Sequence, residues 1–218
     1  VIAVPFFLIT LDSLSAIQIN IVLNLFNALV VAPRIWQDAP RPLLRGLAGG
    51  TLLGLPAGML AYLYADTGHI KVGVAVLIIG FAVHLIVSAG RPRVTQEPRG
   101  KGTWITGGIS GALTSSLAMP GPPVLIYLSH FEIDKETFRA VNLSLYVVSY
   151  ACALGLQATV GEMTVSVWVL SALLIPLALL GGVIGHRFSP WLSQRTFRIT
   201  VLATLMITGL YMLYSQLA

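Results

Sequence analysis

The residues best suited to hold a small negative solute cluster in one stretch, Ser115, Ser116 and Met119-Pro120-Gly121-Pro122-Pro123, with Asn20 and Asn142 elsewhere in the chain. Proline lacks an N–H, clashes with the preceding turn and drives its predecessor out of helical geometry. A helix therefore has to stop before 119–123, and a new one has to start there. A helix start presents uncommitted backbone N–H groups and the positive end of the dipole, both suited to an anion. Gly121 lets a ligand approach the backbone closely, and Ser115 and Ser116 add hydroxyl donors beside it. Asn20 and Asn142 lie within apolar runs, where an amide is costly unless bonded. Both are expected to face the interior, either touching substrate or joining helices. The candidate substrate-binding set is Ser115, Ser116, Met119, Pro120, Gly121, Pro122, Asn142 and Asn20.

Enzymatic constellations are missing. The chain has no HExxH, CxxC, Walker loop or GxSxG. His84, His130 and His186 are far apart in sequence with no ligand partner nearby, so neither a metal site nor a cofactor is expected, and the chain reads as a non-enzyme. Asp12, Glu132, Asp134 and Glu136 flank helix starts, and Asp134 reads as the N-cap of a helix running through Phe138. No carboxylate lies deep in an apolar run, unlike most cation and proton pumps. That tilts the solute toward an anion or a neutral molecule.

The elements that must position these residues are membrane spans. Hydrophobic residues make up 56% of the 218 positions and charged ones 10%, with a mean hydropathy of +0.85. Soluble domains carry roughly 25% charged residues. Apolar runs at 16–32, 43–65, 70–88, 138–156, 165–184 and 197–213 approach or exceed the ~20 residues needed to cross a bilayer. None alternates as an outer-membrane barrel strand would. The net charge of +5 sits in short loops, where it orients the chain in the lipid rather than binding nucleic acid. Cys152, alone, excludes a disulfide within the chain and reads as packing. Trp36, Trp104, Trp168 and Trp191 fall near span ends, as interfacial anchors do.

The two halves match weakly but in order. The motif Val4-Pro-Phe-Phe-Leu8 falls on Val124-Leu-Ile-Tyr-Leu128, Asn20 on Asn142, Gly54 and Gly58 on Gly181 and Gly185, Lys71 on Arg198, and Ser88 on Ser215. This predicts two transmembrane repeats, 1–90 and 103–218, joined by a basic cytoplasmic linker, 91–102. The stretch 103–123 has no counterpart in the first half, so another Gly-rich helix is expected ahead of residue 1. Gly50-xxx-Gly54-xxx-Gly58, Gly107-xxx-Gly111 and Gly181-xxx-Gly185 have the spacing for close helix packing.

The Lys and Arg positions decide the path of 103–131. With 91–101 in the cytoplasm, a single broken span would leave 7 Lys/Arg inside and 6 outside. A re-entrant hairpin leaves 12 inside and only Lys71 outside, and the positive-inside rule selects the hairpin. Each repeat then holds one broken, re-entrant segment and three spans, an odd number, so the repeats must be inverted. The fold class is all-α: a polytopic transmembrane helical bundle of two inverted repeats.

The stretch Gly107-Gly-Ile-Ser-Gly-Ala-Leu-Thr-Ser-Ser-Leu-Ala-Met-Pro-Gly-Pro-Pro-Val-Leu-Ile-Tyr-Leu128 resembles the Gly-rich signature of the TauE/SafE sulfite exporter family. The 4–8 motif looks like the tail of the matching first signature. Where that family commonly has Gly-Gly-Gly or Gly-Gly-Pro-Pro, this chain has Met119-Pro-Gly-Pro-Pro123. The resemblance implies a duplicated, multi-pass permease of the bacterial inner membrane. Its partners would be the lipid bilayer and a small anionic solute such as sulfite, a sulfonate or a related organic acid. The sequence leaves homo-oligomer formation open. The competing reading is a non-transporting membrane scaffold or assembly protein. A polar, positively biased pocket meeting the 119–123 turn is expected for transport.

Overall fold

Where water is excluded, a backbone must satisfy its own N–H and C=O groups, and long Leu/Ile/Val/Ala runs do so as helices. The computed structural model describes residues 13–64, scattered positions between 72 and 87, 94–96, 98–161 and 163–188. Its helices are α1 (Ser13–Val31), α2 (Arg41–Tyr64), α3 (Lys101–Leu117), α4 (Gly121–Ser129), α5 (Lys135–Val160) and α6 (Val165–Phe188), with 3-10 turns at Ala32–Arg34 and Trp36–Asp38. The 4–8 motif, Asp12, Lys71, Ser88, Trp191 and the 197–213 run lie outside the described residues, as do most of 70–88 and the side chain of His186.

Among the described residues, four helices are long and apolar enough to span: Leu14–Val31, Arg41–Tyr64, Lys135–Val160 and Val165–Gly182. They match four of the six expected runs, and the chain is an all-α, multi-pass membrane protein. Neither α3 nor α4 can cross alone. The 17 residues of α3 extend about 25 Å at ~1.5 Å per residue, short of a ~30 Å hydrocarbon core, and α4 has only 9 residues.

These two form a hairpin. Val94 N–H donates to the carbonyl of His130 at 2.8 Å, and Glu132 N–H donates to the carbonyl of Val94 at 2.9 Å. The chain before α3 is thus tied to the chain after α4. Farther in, the hydroxyls of Thr103 and Tyr127 lie 3.0 Å apart, and Ser110 Oγ donates to the Pro120 carbonyl at 2.8 Å. The segment returns to the end at which it started.

The best-packed pair is α2 with α3, and glycine makes it possible. The two helices run parallel, with Gly46 beside Thr103, Gly50 beside Trp104 and Gly107, and Gly58 beside Ala112 and Ser115. A Cβ at Gly50, Gly54, Gly107 or Gly111 would land on a carbonyl oxygen of the facing helix, so the backbones touch directly. The close-packing reading holds for these glycines. It does not extend to Gly181, where no described atom lies within 4 Å of a Cβ position; spacing sets which face is small, not what covers it.

Helix directions follow from contacts near the ends. Gln18 Nε2 donates to the Gly161 carbonyl at 2.8 Å, while Ile35 and Ala39, just past α1, pack with Val141 and Leu145. So α1 and α5 are antiparallel. The Met59 methyl lies 3.2 Å from a Cβ position at Gly161, and Asn27 Oδ1 lies 3.1 Å from one at Gly182. So α2 runs toward the Gly161 end, and α6 runs back from it. Both sequence-matched pairs, α1 with α5 and α2 with α6, point in opposite directions. Every described Lys and Arg position (34, 41, 45, 99, 101, 135, 139 and 187) consequently falls toward the same end of the bundle, in keeping with the charge argument for the hairpin. Trp36, Trp104 and Trp168 are all partly exposed near helix ends.

Asp134 caps α5 there, its Oδ1 accepting the Thr137 N–H at 2.8 Å. Hydrogen bonding to the Thr137 side chain, and then to its N–H, holds the Asp134 carboxyl below the ordinary 3.8. A depressed folded-state pKa stabilises above the unfolded value and is lost as pH falls through the folded one. Melting curves of the wild type and Asp134→Ala in detergent should therefore differ at neutral pH, with the wild type higher, and converge below pH 3.8. A gap that persists at lower pH would exclude a charged cap.

Candidate functional site

The break between α3 and α4 is a tightly bonded turn. Ala118 ends α3 in the left-handed region at φ 53°, its N–H donating to Thr114 O at 2.9 Å and that of Met119 to Leu113 O at 3.1 Å. A non-glycine residue there costs roughly 1–2 kcal/mol. Burying the methyl returns about 0.8 kcal/mol, since Ala118 sits in a cluster with Ile17, Ile21, Leu117, Met119, Tyr150 and Ala153. The turn is deep in protein: Met119 is 1% exposed, and Pro120, Gly121 and Pro122 are buried.

At the start of α4 the donors are few. A helix leaves its first four N–H groups without an intrahelical partner. Here those positions are Pro120, Gly121, Pro122 and Pro123, and proline has no N–H. Only Gly121 can donate. The expectation of several bare amides is thus corrected to a single one, with the helix dipole behind it.

The helix facing this turn, α5, supplies what the sequence reading missed. Asn142, Tyr146, Ser149, Tyr150, Ala153 and Gln157 fall within an arc of about 100° on α5, at 3.6 residues per turn. Tyr146 Oη is 2.5 Å from a Cβ position at Gly121, so glycine is the residue that fits beneath it. Tyr150 Oη donates to Ala118 O at 3.2 Å, and Gln157 Nε2 donates to Ser115 O at 2.9 Å. The Tyr146 and Tyr150 rings meet edge to face, 5.9 Å between centroids. One face of α5 thus follows the turn residue by residue. The i, i+4 spacing of Asn142 and Tyr146 was the available signal.

The remaining expected site residues are placed as follows. Ser115 Oγ donates to Leu55 O at 2.7 Å and Ser116 Oγ to Ala112 O at 2.7 Å. A hydroxyl has one proton, so in this conformation neither serine is a ready anion donor; Ser115 instead ties α3 to α2. Asn142 Nδ2 donates to Phe138 O at 2.8 Å, leaving its buried Oδ1 without a partner. Asn20 is the converse: its carbonyl oxygen accepts from Asn24, and its buried Nδ2 has no partner. Asn20 lies on α1 among residues that pack on both the turn and α6.

Two expectations change. The rings of His84 and His130, distant in sequence, lie 5.8 Å apart, so the fold brings His84 to the end of α4. No group of three or more potential metal ligands occurs among the described residues. A cavity of about 430 Å³ lies at the basic end, lined by residues including Pro40, Arg99, Glu132 and Asp134. None of residues 119–123 lines it. Around Met119, side chains of α1, α2 and α5 pack against the turn.

These features define a multi-pass helical membrane protein with a doubled-back hairpin that ends in a buried, proline-broken turn. A sequence profile for the family described as Sulfite exporter TauE/SafE matches residues 1–212. The chain belongs to that family, and it is accordingly a transporter and not an enzyme. It is also similar to a "Probable sulfite/organosulfonate exporter TauE" of Cupriavidus necator, 22% identical over 192 residues, covering 85% of this chain and 73% of that protein. No solved structure matches it.

Proposed function

We propose that the chain is a secondary transporter exporting small sulfur-containing anions (sulfite, sulfonates or related organic acids) across the cell inner membrane. It works as two inverted repeats, 1–90 and 103–218, joined by the basic linker 91–102. The anion binds where α4 starts, on the N–H of Gly121 and the hydroxyl of Tyr146. Asn142 and Asn20 face the path, and Ser115, Ser116, Met119, Pro120 and Pro122 shape the turn. The observation that carries this reading is the single free amide at Gly121, buried against a tyrosine hydroxyl at the positive end of a helix. Non-helical backbone at membrane depth is tolerated where protein or a water-lined cavity satisfies it, and helix starts hold anions in other transporters. The family and the Cupriavidus relative support the solute class.

The test is efflux of labelled sulfite from proteoliposomes containing the purified chain. Efflux at least about ten-fold above protein-free vesicles is expected, a barrier difference of roughly 1.4 kcal/mol, with ethanesulfonate competing. Efflux at the protein-free rate would remove the proposal.

A further inference from the structure

The hydrogen-bonding groups on the face of α5 that covers Gly121 do not match a bare, fully ionised oxyanion. Two donors, the Gly121 N–H and the Tyr146 O–H, suit a negative oxygen. One turn away on the same face of α5 lies Asn142, and it presents the opposite character. Its Nδ2 donates to Phe138 O at 2.8 Å. A carbonyl can only accept, so this bond also settles which end of the amide is which. The group left over is therefore the carbonyl oxygen Oδ1, fully inaccessible and without a partner, on a side chain only 6% exposed. Leaving such an acceptor unsatisfied costs ~1–3 kcal/mol, and an anion's oxygens would only add repulsion.

We infer that the site selects monoanions that carry a hydrogen-bond donor of their own. Their charged oxygens rest on Gly121 and Tyr146, and their O–H or N–H donates to Asn142 Oδ1. This rests on the anion site proposed above and narrows its substrates. Hydrogensulfite and hydroxy-substituted sulfonates meet the description, whereas sulfate and plain alkanesulfonates do not. Asn142 is then a specificity-determining residue. A site built around a buried polar group discriminates strongly against an analogue that leaves the group unpaired.

The experiment compares two permanent monoanions of nearly equal shape, 2-hydroxyethanesulfonate and propane-1-sulfonate, by calorimetric titration of the full chain in nanodiscs. The hydroxylated anion should bind about ten-fold more tightly, the worth of roughly one buried hydrogen bond. In Asn142→Leu the ratio of the two affinities should fall toward one, whatever their absolute values. Equal affinities in the wild type would overturn the inference while leaving the anion site standing, and this comparison needs no variant to fold. A preference that survives in Asn142→Leu would also overturn it. Binding of neither anion would overturn the site and the inference together.

Discussion

Gly121→Leu should reduce sulfite flux in proteoliposomes by at least about 100-fold, equivalent to roughly 2.7 kcal/mol in the barrier. Any Cβ at this position meets Tyr146 Oη at 2.5 Å. The phenol ring must swing aside, and it leans edge to face on Tyr150, whose hydroxyl holds the Ala118 carbonyl. Both proposed donors are displaced at once: the amide is covered and the hydroxyl is moved. Stability measurements separate this loss from misfolding. Gly121→Ala should cost about 1–2 kcal/mol as overpacking. In a Tyr146→Phe background the nearest remaining ring atom, Cζ, is 3.5 Å away, so the same substitution should cost nearly nothing. Additive costs would show that the tyrosine does not press on Gly121.

Gly107→Ala should destabilise the protein by about 3 kcal/mol, while Gly108→Ala, one residue on, should be neutral or raise stability by up to ~1 kcal/mol. The two adjacent glycines face different surroundings. A Cβ at Gly107 would strike the Leu47 carbonyl and lie 3.0 Å from the Thr51 amide, both rigid helix backbone. At Gly108 the nearest atom is Gly50 O at 3.7 Å, an ordinary contact. Separating α2 from α3 would also pull Ser115 Oγ from Leu55 O and Thr51 Oγ1 from Gly107 O. Melting temperatures in detergent would show it. Equal effects at the two positions would mean that the helices meet on another face.

Much of this protein could be read before any coordinates. Apolar runs located four helices to within a few residues, and the Lys and Arg positions required that 103–131 turn back. The glycine spacing found the α2–α3 contact but overreached at Gly181, because a small face says nothing about its partner. The hydrogen bonding around the candidate site was not legible in the same way. Proline 120–123 was correctly seen as a break and a new helix start, yet the same prolines remove three of the four donors such a start would offer. Ser115 and Ser116 were read as donors for a ligand, and they donate to carbonyls instead. The i, i+4 spacing of Tyr146 from Asn142 marks a shared helix face, but it does not reveal the glycine 25 positions earlier that the tyrosine covers.

The division has a physical cause. Burying backbone in lipid and excluding basic side chains from it act on single segments, so composition and charge order alone located the four described spanning helices and the doubling back of 103–131. Which hydroxyl finds a carbonyl and which amide stays open depends on ångström-scale distances between segments remote in sequence. Those distances come from the packing of α5 and α2 on the hairpin. Only the tertiary structure decided that Asn142 keeps an open acceptor, that Asn20 keeps an open donor, and that a tyrosine hydroxyl closes over Gly121.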